Sequence, residues 1–338
     1  MPVTIRDLSR HCGFSVATIS KALNGYTDIS EATRDAVLRA AQELGYHPNS
    51  HARALKSGRS YNLGVLFADD SNSGLTHFFF SGVLESFKKA AEEHGYDITF
   101  ICHGIGGGHQ TFLEHCHSRE VDGVCVAAVD FRSEEVQQLA VSDLPLVTID
   151  HPFRHRDCVQ SDNEGGMSML TRYAYEQGHR RIACLHGQPG ASADSRLRGF
   201  RQTVQELGLT IPETYVRECL YNTPDRVAEI FRELMALPEP PTCVFCPDDY
   251  AALGAYRAAA ELGLSIPGDV SVAGFDGIAF AQLLTPRLTT IRQDQDHIGR
   301  TAAELLIRQL SAPQEVQPQS VTIPCTLTPG GSIAAPAV

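Results

Sequence analysis

Residues 13–25 read Gly13-Phe14-Ser15-Val16-Ala17-Thr18-Ile19-Ser20-Lys21-Ala22-Leu23-Asn24-Gly25. Gly13-Phe14 breaks the preceding pattern, and Ser15 can cap a helix from Val16 to about Leu23. Ile19 and Leu23, four apart, would form its inward face, and Asn24-Gly25 stops it. Upstream, Thr4 can cap a first helix with Asp7 at its third position, a variant of the capping box, and Ile5 and Leu8 share a face. Downstream, Ser30 can cap a third helix with the apolar stripe Val37, Ala40, Ala41 and Leu44. Gly45 follows where a left-handed cap belongs. Two short helices around a Gly-containing turn, with a third in support, form a helix-turn-helix. A generic three-helix bundle has the same anatomy, and the pattern alone leaves both open.

Pro48-Asn49 and the stretch Ser50 to Lys56 follow, closed by Ser57-Gly58. Asn49 can cap a helix here, but seven residues are too few to hold one in water without packing. The segment is expected to become helical only when something packs on it. Charge sets this end apart. Residues 1–60 hold eight basic and five acidic side chains, a net of +3; the other 278 residues hold 20 and 35, a net of −15. A basic segment on an acidic body suggests that only the first segment meets a polyanion.

The body alternates strand-like runs (62–67, 97–101, 123–128, 145–149, 181–185, 242–246 and 270–274) with helical patterns (79–94, 109–118, 133–140, 163–177, 195–207, 224–235, 248–261 and 294–309). Such alternation indicates βαβ units, and this many units fit two parallel sheets better than one. The 338 residues suit two to three domains. Ligands of such sheets bind beyond the carboxyl ends of strands, which directs attention to Asp150, Asp248 and Asp276. No apolar run approaches the ~18 residues of a membrane span, and the start lacks a signal-peptide core, so a cytoplasmic protein is expected. The ten cysteines are scattered, as buried small hydrophobes would be. Cys243 and Cys246 would point to opposite faces of a strand. His115, Cys116 and His117, with Cys102 and His103, lack zinc-finger spacing. No nucleophile elbow, zincin motif or phosphate-binding loop appears, so neither an enzyme nor a cofactor is expected.

The first 60 residues resemble the lactose-repressor (LacI/GalR) family of bacterial transcription factors. The matching text is residues 4–8 and 13–25, then Ile29 to Arg34, Glu43 to Tyr46, Pro48-Asn49 and Ala52 to Leu55. The resemblance continues to about residue 325 through Gly64 to Leu66, Val121 to Val124, Asp162 to Gly166, Gly178 to Ala183, Arg196 to Phe200, Asp248 to Gly254, Gly263 to Asp276 and Pro286 to Ile291. It implies an N-terminal all-α helix-turn-helix headpiece and an α/β two-lobed effector domain like the periplasmic sugar-binding proteins. The implied boundaries are 1–47 for the DNA-binding domain, 48–60 for hinge helix and linker, 61–328 for the effector and dimerisation domain, and 329–338 for a tail. The tail has no heptads, so no added tetramerisation helix is expected.

By the same resemblance, Val16 and Ala17 face base edges in a major groove, where they offer only apolar contact, and Lys21 can reach guanine. The family often has Arg at Lys21. Ser15, Thr18, Ser20 and Asn24 are candidate phosphate contacts, and Thr4 is a further DNA-binding candidate; Thr18 reads equally as a capping or core residue. Arg53 and Lys56 flank Leu55, whose family counterpart wedges between base pairs in the minor groove. In the effector domain, Asp150, Arg196, Asp248 and Asp276 map onto ligand-contact positions, a set that suits a polyol because sugar hydroxyls donate to acids and accept from Arg. Phe78 and Phe79 fall where an aromatic meets the ligand, with His77 as a polar neighbour. Asp248 and Asp276 read equally as helix caps. Asp248 replaces a usual Asn, Ala127 stands where some sugar-binding members have Asn, and Gly190 replaces an Arg of purine-responsive members.

The implied function is an effector-responsive repressor, binding pseudo-palindromic double-stranded operator DNA as a homodimer and sensing a sugar or derivative. A stand-alone sugar receptor and an enzyme on the same scaffold are the alternatives. If Leu55 is the wedge, Leu55→Ala weakens specific operator binding far more than non-specific binding in salt-matched titrations; equal losses in both exclude the wedge.

Overall fold

A computed structural model describes residues 3–23, 26–46, 58–68, 74–105, 108–311 and 317–336. The chain divides into two units, residues 1–61 and 62–338. Asn24 and residues 47–57, with Arg53, Leu55 and Lys56, lie outside the described residues, and so does the helix expected there.

The first unit holds helices Ile5–Cys12, Val16–Leu23 and Glu31–Leu44. Thr4 and Asp7 form the expected capping box, each side chain taking the other's backbone N–H at 3.3 and 2.9 Å. Ser15 and Ser30 accept the N–H of Thr18 and Thr33. Gly13 (φ 73°) and Gly45 (φ 63°) end their helices in the left-handed conformation that glycine adopts without strain. Leu8, Ile19, Ala22, Val37, Ala40 and Ala41 form the core. Leu23, expected inward, is only half-buried, because the seam runs on the i+3 side of Ile19, through Ala22.

The second unit has two lobes. The first is a parallel six-stranded sheet in the order Asp97–Ile101, Asn62–Phe67, Gly123–Ala127, Leu146–Ile149, Asp157–Ser161, Ser320–Ile323. The second has the order Val216–Glu218, Ile182–His186, Cys243–Phe245, Ser271–Asp276, Thr289–Arg292, Thr326–Thr328, with only the last strand antiparallel. The chain therefore passes between lobes three times, after Ser161, after Arg292 and after Ile323. Helix Gln295–Ser311 returns to the first lobe and packs on helix Phe78–Glu93. Asp157, buried, locks that return: it takes bonds from Gln309 (2.8 Å) and the Gln319 N–H (2.6 Å) and faces Arg308 at 3.4 Å.

Five strands of these two sheets were not expected from the sequence: Asp157–Ser161, Val216–Glu218, Thr289–Arg292, Ser320–Ile323 and Thr326–Thr328. All are short and rich in Ser, Thr and charged residues; three are sheet edges, with one ladder neighbour each, and Asp157–Ser161 and Thr289–Arg292 lie next to an edge. The residues expected as a tail pack into the second lobe instead. Ser332, fully buried, accepts the Thr289 N–H (2.8 Å) and donates to Val272 O (2.6 Å), and Ile333 joins the core. Helix Phe112–Ser118 begins later than expected because Thr111 and Glu114 form a capping box.

Helices Pro224–Met235 and Ala252–Glu261 meet so closely at Gly254 that a Cβ there would stand 1.8 Å from Pro224 O. Backbone cannot yield as a side chain does, so Gly254→Ala is expected to destabilise the unit by about 1–3 kcal/mol or more in urea unfolding. An unchanged midpoint would show that the helices separate freely.

Candidate functional site

In the headpiece, Ser15, Val16 and Ala17 are exposed at the start of the second helix, and Val16 has no place in the core. Thr18 lies half-buried, its Oγ1 2.9 Å from Ser15 Oγ, so it completes the cap. Lys21 pairs with Asp28 on the same unit, so reaching an external acceptor requires leaving that partner. Thr4 is exposed and Ser20 half-buried. Val16 and Ala17 thus stand outside the core and present apolar groups at the start of this helix.

In the second unit a cavity of about 320 Å³ opens between the lobes. It gathers His77, Phe79, Asp150, Arg196, Asp248 and Asp276, which are far apart in sequence. Phe78 is not among its lining residues. It is 48% exposed, with ring centroids 5.2 Å from Tyr250 and 6.3 Å from Phe280. On a helix, successive residues diverge by about 100°, and Phe79 takes the inward direction. Ala127 is buried in its strand, and Ala128 lines the cavity instead.

Arg196 is the central group. Helix Ala191–Glu206 carries it beneath the cavity, where its guanidinium lies 3.7 Å over the Phe275 ring. It donates to Asn163 Oδ1 (2.7 Å) and Pro247 O (3.0 Å) and faces Asp276 Oδ1 at 3.8 Å. Asp248 accepts the N–H of Ala251 (2.7 Å) and of Asn222 (2.8 Å), one on each oxygen. It therefore caps the turn before helix Ala252–Glu261, and that turn moves the helix start from the expected residue 248. Asp276 accepts from Gln293 Nε2 (2.7 Å). His77 caps helix Phe78–Glu93 through Nδ1 and reaches Asn222 Nδ2 with Nε2 at 2.8 Å, a contact between lobes. Phe131 and His151 stack at 4.4 Å to form a flat wall.

Several lining residues carried no signal in the sequence reading. Ala128 (φ 49°), Asp150 (φ 63°), Asn222 (φ 54°) and Asp276 (φ 114°) all have left-handed backbones. Such conformations cost about 1–3 kcal/mol each and concentrate at functional sites. Of these four, strand-end position pointed to Asp150 and Asp276. Tyr221 sits in a recess that exists because residue 187 is glycine; a Cβ there would lie 2.1 Å from the ring. The Tyr221 hydroxyl and Gln293 Oε1 are both buried, with no hydrogen-bond partner among the described residues.

Burial pushes the carboxyls of Asp150, Asp248 and Asp276 up from the ordinary aspartate value, and Arg196 pulls each back. A carboxyl whose native pKa is raised contributes its full stability at acid pH and loses it as pH rises through that pKa. Arg196→Met removes the countercharge and raises the three further. Its loss of stability is expected at about 3–5 kcal/mol at pH 8 and clearly less at pH 5, measured by urea unfolding. An equal loss at both pH values would mean that these acids do not depend on Arg196.

Residues 4–49 match the family described as bacterial regulatory proteins, lacI family, and residues 171–333 match a periplasmic binding protein-like domain. The chain is 31% identical over 313 residues to the HTH-type transcriptional repressor PurR of Vibrio cholerae serotype O1, covering 91% of each. It is 32% identical over 320 residues to PurR of Pectobacterium carotovorum, covering 92% of each. Among solved structures it is similar to the Lac repressor dimer bound to operator and the anti-inducer ONPF (TM-score 0.83, 25% identity, 99% of this chain and 100% of that one). It is also similar to the transcriptional regulator CelR in complex with cellobiose (TM-score 0.74, 27% identity, 98% and 99%). An exposed helix start on a capped three-helix unit, a two-lobed body with a cavity between its lobes and these full-length likenesses agree: the chain belongs to the lacI family of bacterial transcriptional regulators.

Proposed function

We propose that the protein is a cytoplasmic repressor that binds a pseudo-palindromic operator as a homodimer and senses a neutral sugar in the cavity between its lobes. The observation that carries the sugar reading is the convergence of Arg196 and the carboxylates of Asp150, Asp248 and Asp276 on one cavity. A sugar hydroxyl donates and accepts at once, so it can satisfy both kinds of group. The volume falls within the ~300–1,000 Å³ of small-molecule sites. Asp130, Asp150, Asp248 and Asp276 against Arg132 and Arg196 leave the lining acidic, which favours a neutral ligand over a sugar phosphate. Phe79 and the Phe131–His151 pair supply apolar faces for ring carbons. No helix among the described residues is long and apolar enough to cross a membrane.

On DNA, Val16 and Ala17 would meet base edges, and Lys21 would exchange Asp28 for guanine. Ser15, Thr18, Ser20 and Asn24 would bond phosphates, and Thr4 would also contact the DNA. The 48–60 segment, with Arg53, Leu55 and Lys56, would fold into the minor groove. The relatives named as repressors and the operator-bound Lac repressor dimer support this reading. A thermal-shift screen of neutral sugars and sugar phosphates tests the effector; a ligand at 100 times its Kd adds about 2.7 kcal/mol to the folded state. A neutral sugar should raise Tm, and a response to phosphates alone would reject the reading. Selection of the full chain on random oligonucleotides should enrich a symmetric motif. No motif in any ligand state would reject the operator.

A further inference from the structure

Away from the cavity, His103, His109 and Glu135 come together on the first lobe. One ligand atom of each lies within 4.8 Å of the others, making this a metal-capable group among the described residues. Three separate elements bring them there. His103 follows strand Asp97–Ile101, His109 ends the small strand Gly108–His109, and Glu135 lies in the first turn of helix Glu134–Val141. The two imidazoles are nearly parallel, centroids 5.0 Å apart and planes 16° apart, and Phe112 backs His103 at 4.0 Å. Glu135 Oε2 is shut off from solvent yet accepts no hydrogen bond, although His103 Nδ1 stands 3.4 Å away.

A carboxylate oxygen enclosed without a donor is costly unless a cation completes it. The 3.4 Å separation is close to the ~3.4 Å between ligand atoms around a tetrahedral ion with bonds of ~2.1 Å. His109 is exposed, so its ring can turn to close the third edge. The donor set, two imidazoles and one carboxylate, suits a borderline divalent ion rather than calcium or magnesium, which prefer all-oxygen sites.

We propose that His103, His109 and Glu135 form a zinc-class divalent metal site with an open position, which fastens His103 and His109 to helix Glu134–Val141. His103 Nδ1 also lies 3.2 Å from Gln110 O; if Nδ1 is the ligand, it gives up that contact and the neutral ring carries its one N–H on Nε2. None of the three residues lines the cavity between the lobes.

The test is isothermal titration of the full chain with Zn²⁺, with Co²⁺ absorption spectra and Tm read alongside. One ion per chain is expected, with a rise in Tm and no thiolate charge-transfer band. His103→Ala, His109→Ala and Glu135→Gln should each weaken binding by about tenfold or more, since even outer-shell changes typically cost 10–100-fold. Cys102→Ser and His117→Ala, on nearby exposed residues, should leave it unchanged. No binding, binding that survives any one of the three substitutions, or binding lost in Cys102→Ser or His117→Ala overturns the site. Because His109 is exposed, its variant keeps the fold, and its result stands on its own.

Discussion

A guanidinium enclosed by protein organises the effector domain. Arg196 is buried, and it is held by Asn163 Oδ1, Pro247 O, the face of Phe275 and the nearby charge of Asp276. Removing a cation from water costs several kcal/mol, and only a surround of this kind offsets it. Each partner belongs to a different part of the chain. Asn163 opens the helix after the first passage between lobes, Pro247 follows a central strand, and Phe275 lies in the next strand. One charge thus ties the floor of the cavity to the point where the lobes join.

The three passages make relative movement of the lobes the natural response to a ligand. Each lobe carries its own sheet and core, and the contact between His77 and Asn222 is the kind that a ligand can replace or strengthen. Asp150, Asn222 and Asp276, all left-handed, line the space between with polar side chains. Neither lobe alone contains the site. A coupling of ~1–3 kcal/mol between such a site and a distant DNA contact is typical and reciprocal.

Much was legible because it depended on neighbours in sequence. The caps Thr4, Ser15 and Ser30 and the glycines 13 and 45 marked the headpiece helices, since a cap acts within one turn. The continuous apolar runs marked the central strands, which are covered on both faces. Edge strands such as Val216–Glu218 and Ser320–Ile323 escaped because they need little apolar surface. Of the ligand residues expected, His77, Phe79, Asp150, Arg196, Asp248 and Asp276 converge, whereas Phe78 turns outward one residue from Phe79. Tyr221, Gln293 and Asn222 gave no signal, because nothing near them in sequence states that they face a cavity.

Local order in this chain comes from the residues themselves: helix ends, turn positions, the alternation of strand and helix, and the basic headpiece on an acidic body. Backbone hydrogen bonds and side-chain spacing act over a few residues, so they can be read there. The tertiary structure alone decided which strand ends face one another, which carboxylates share Arg196, and that His103, His109 and Glu135 lie within reach of one ion. Those outcomes depend on how two sheets and the helices between them pack, and packing joins residues with no regular spacing along the chain.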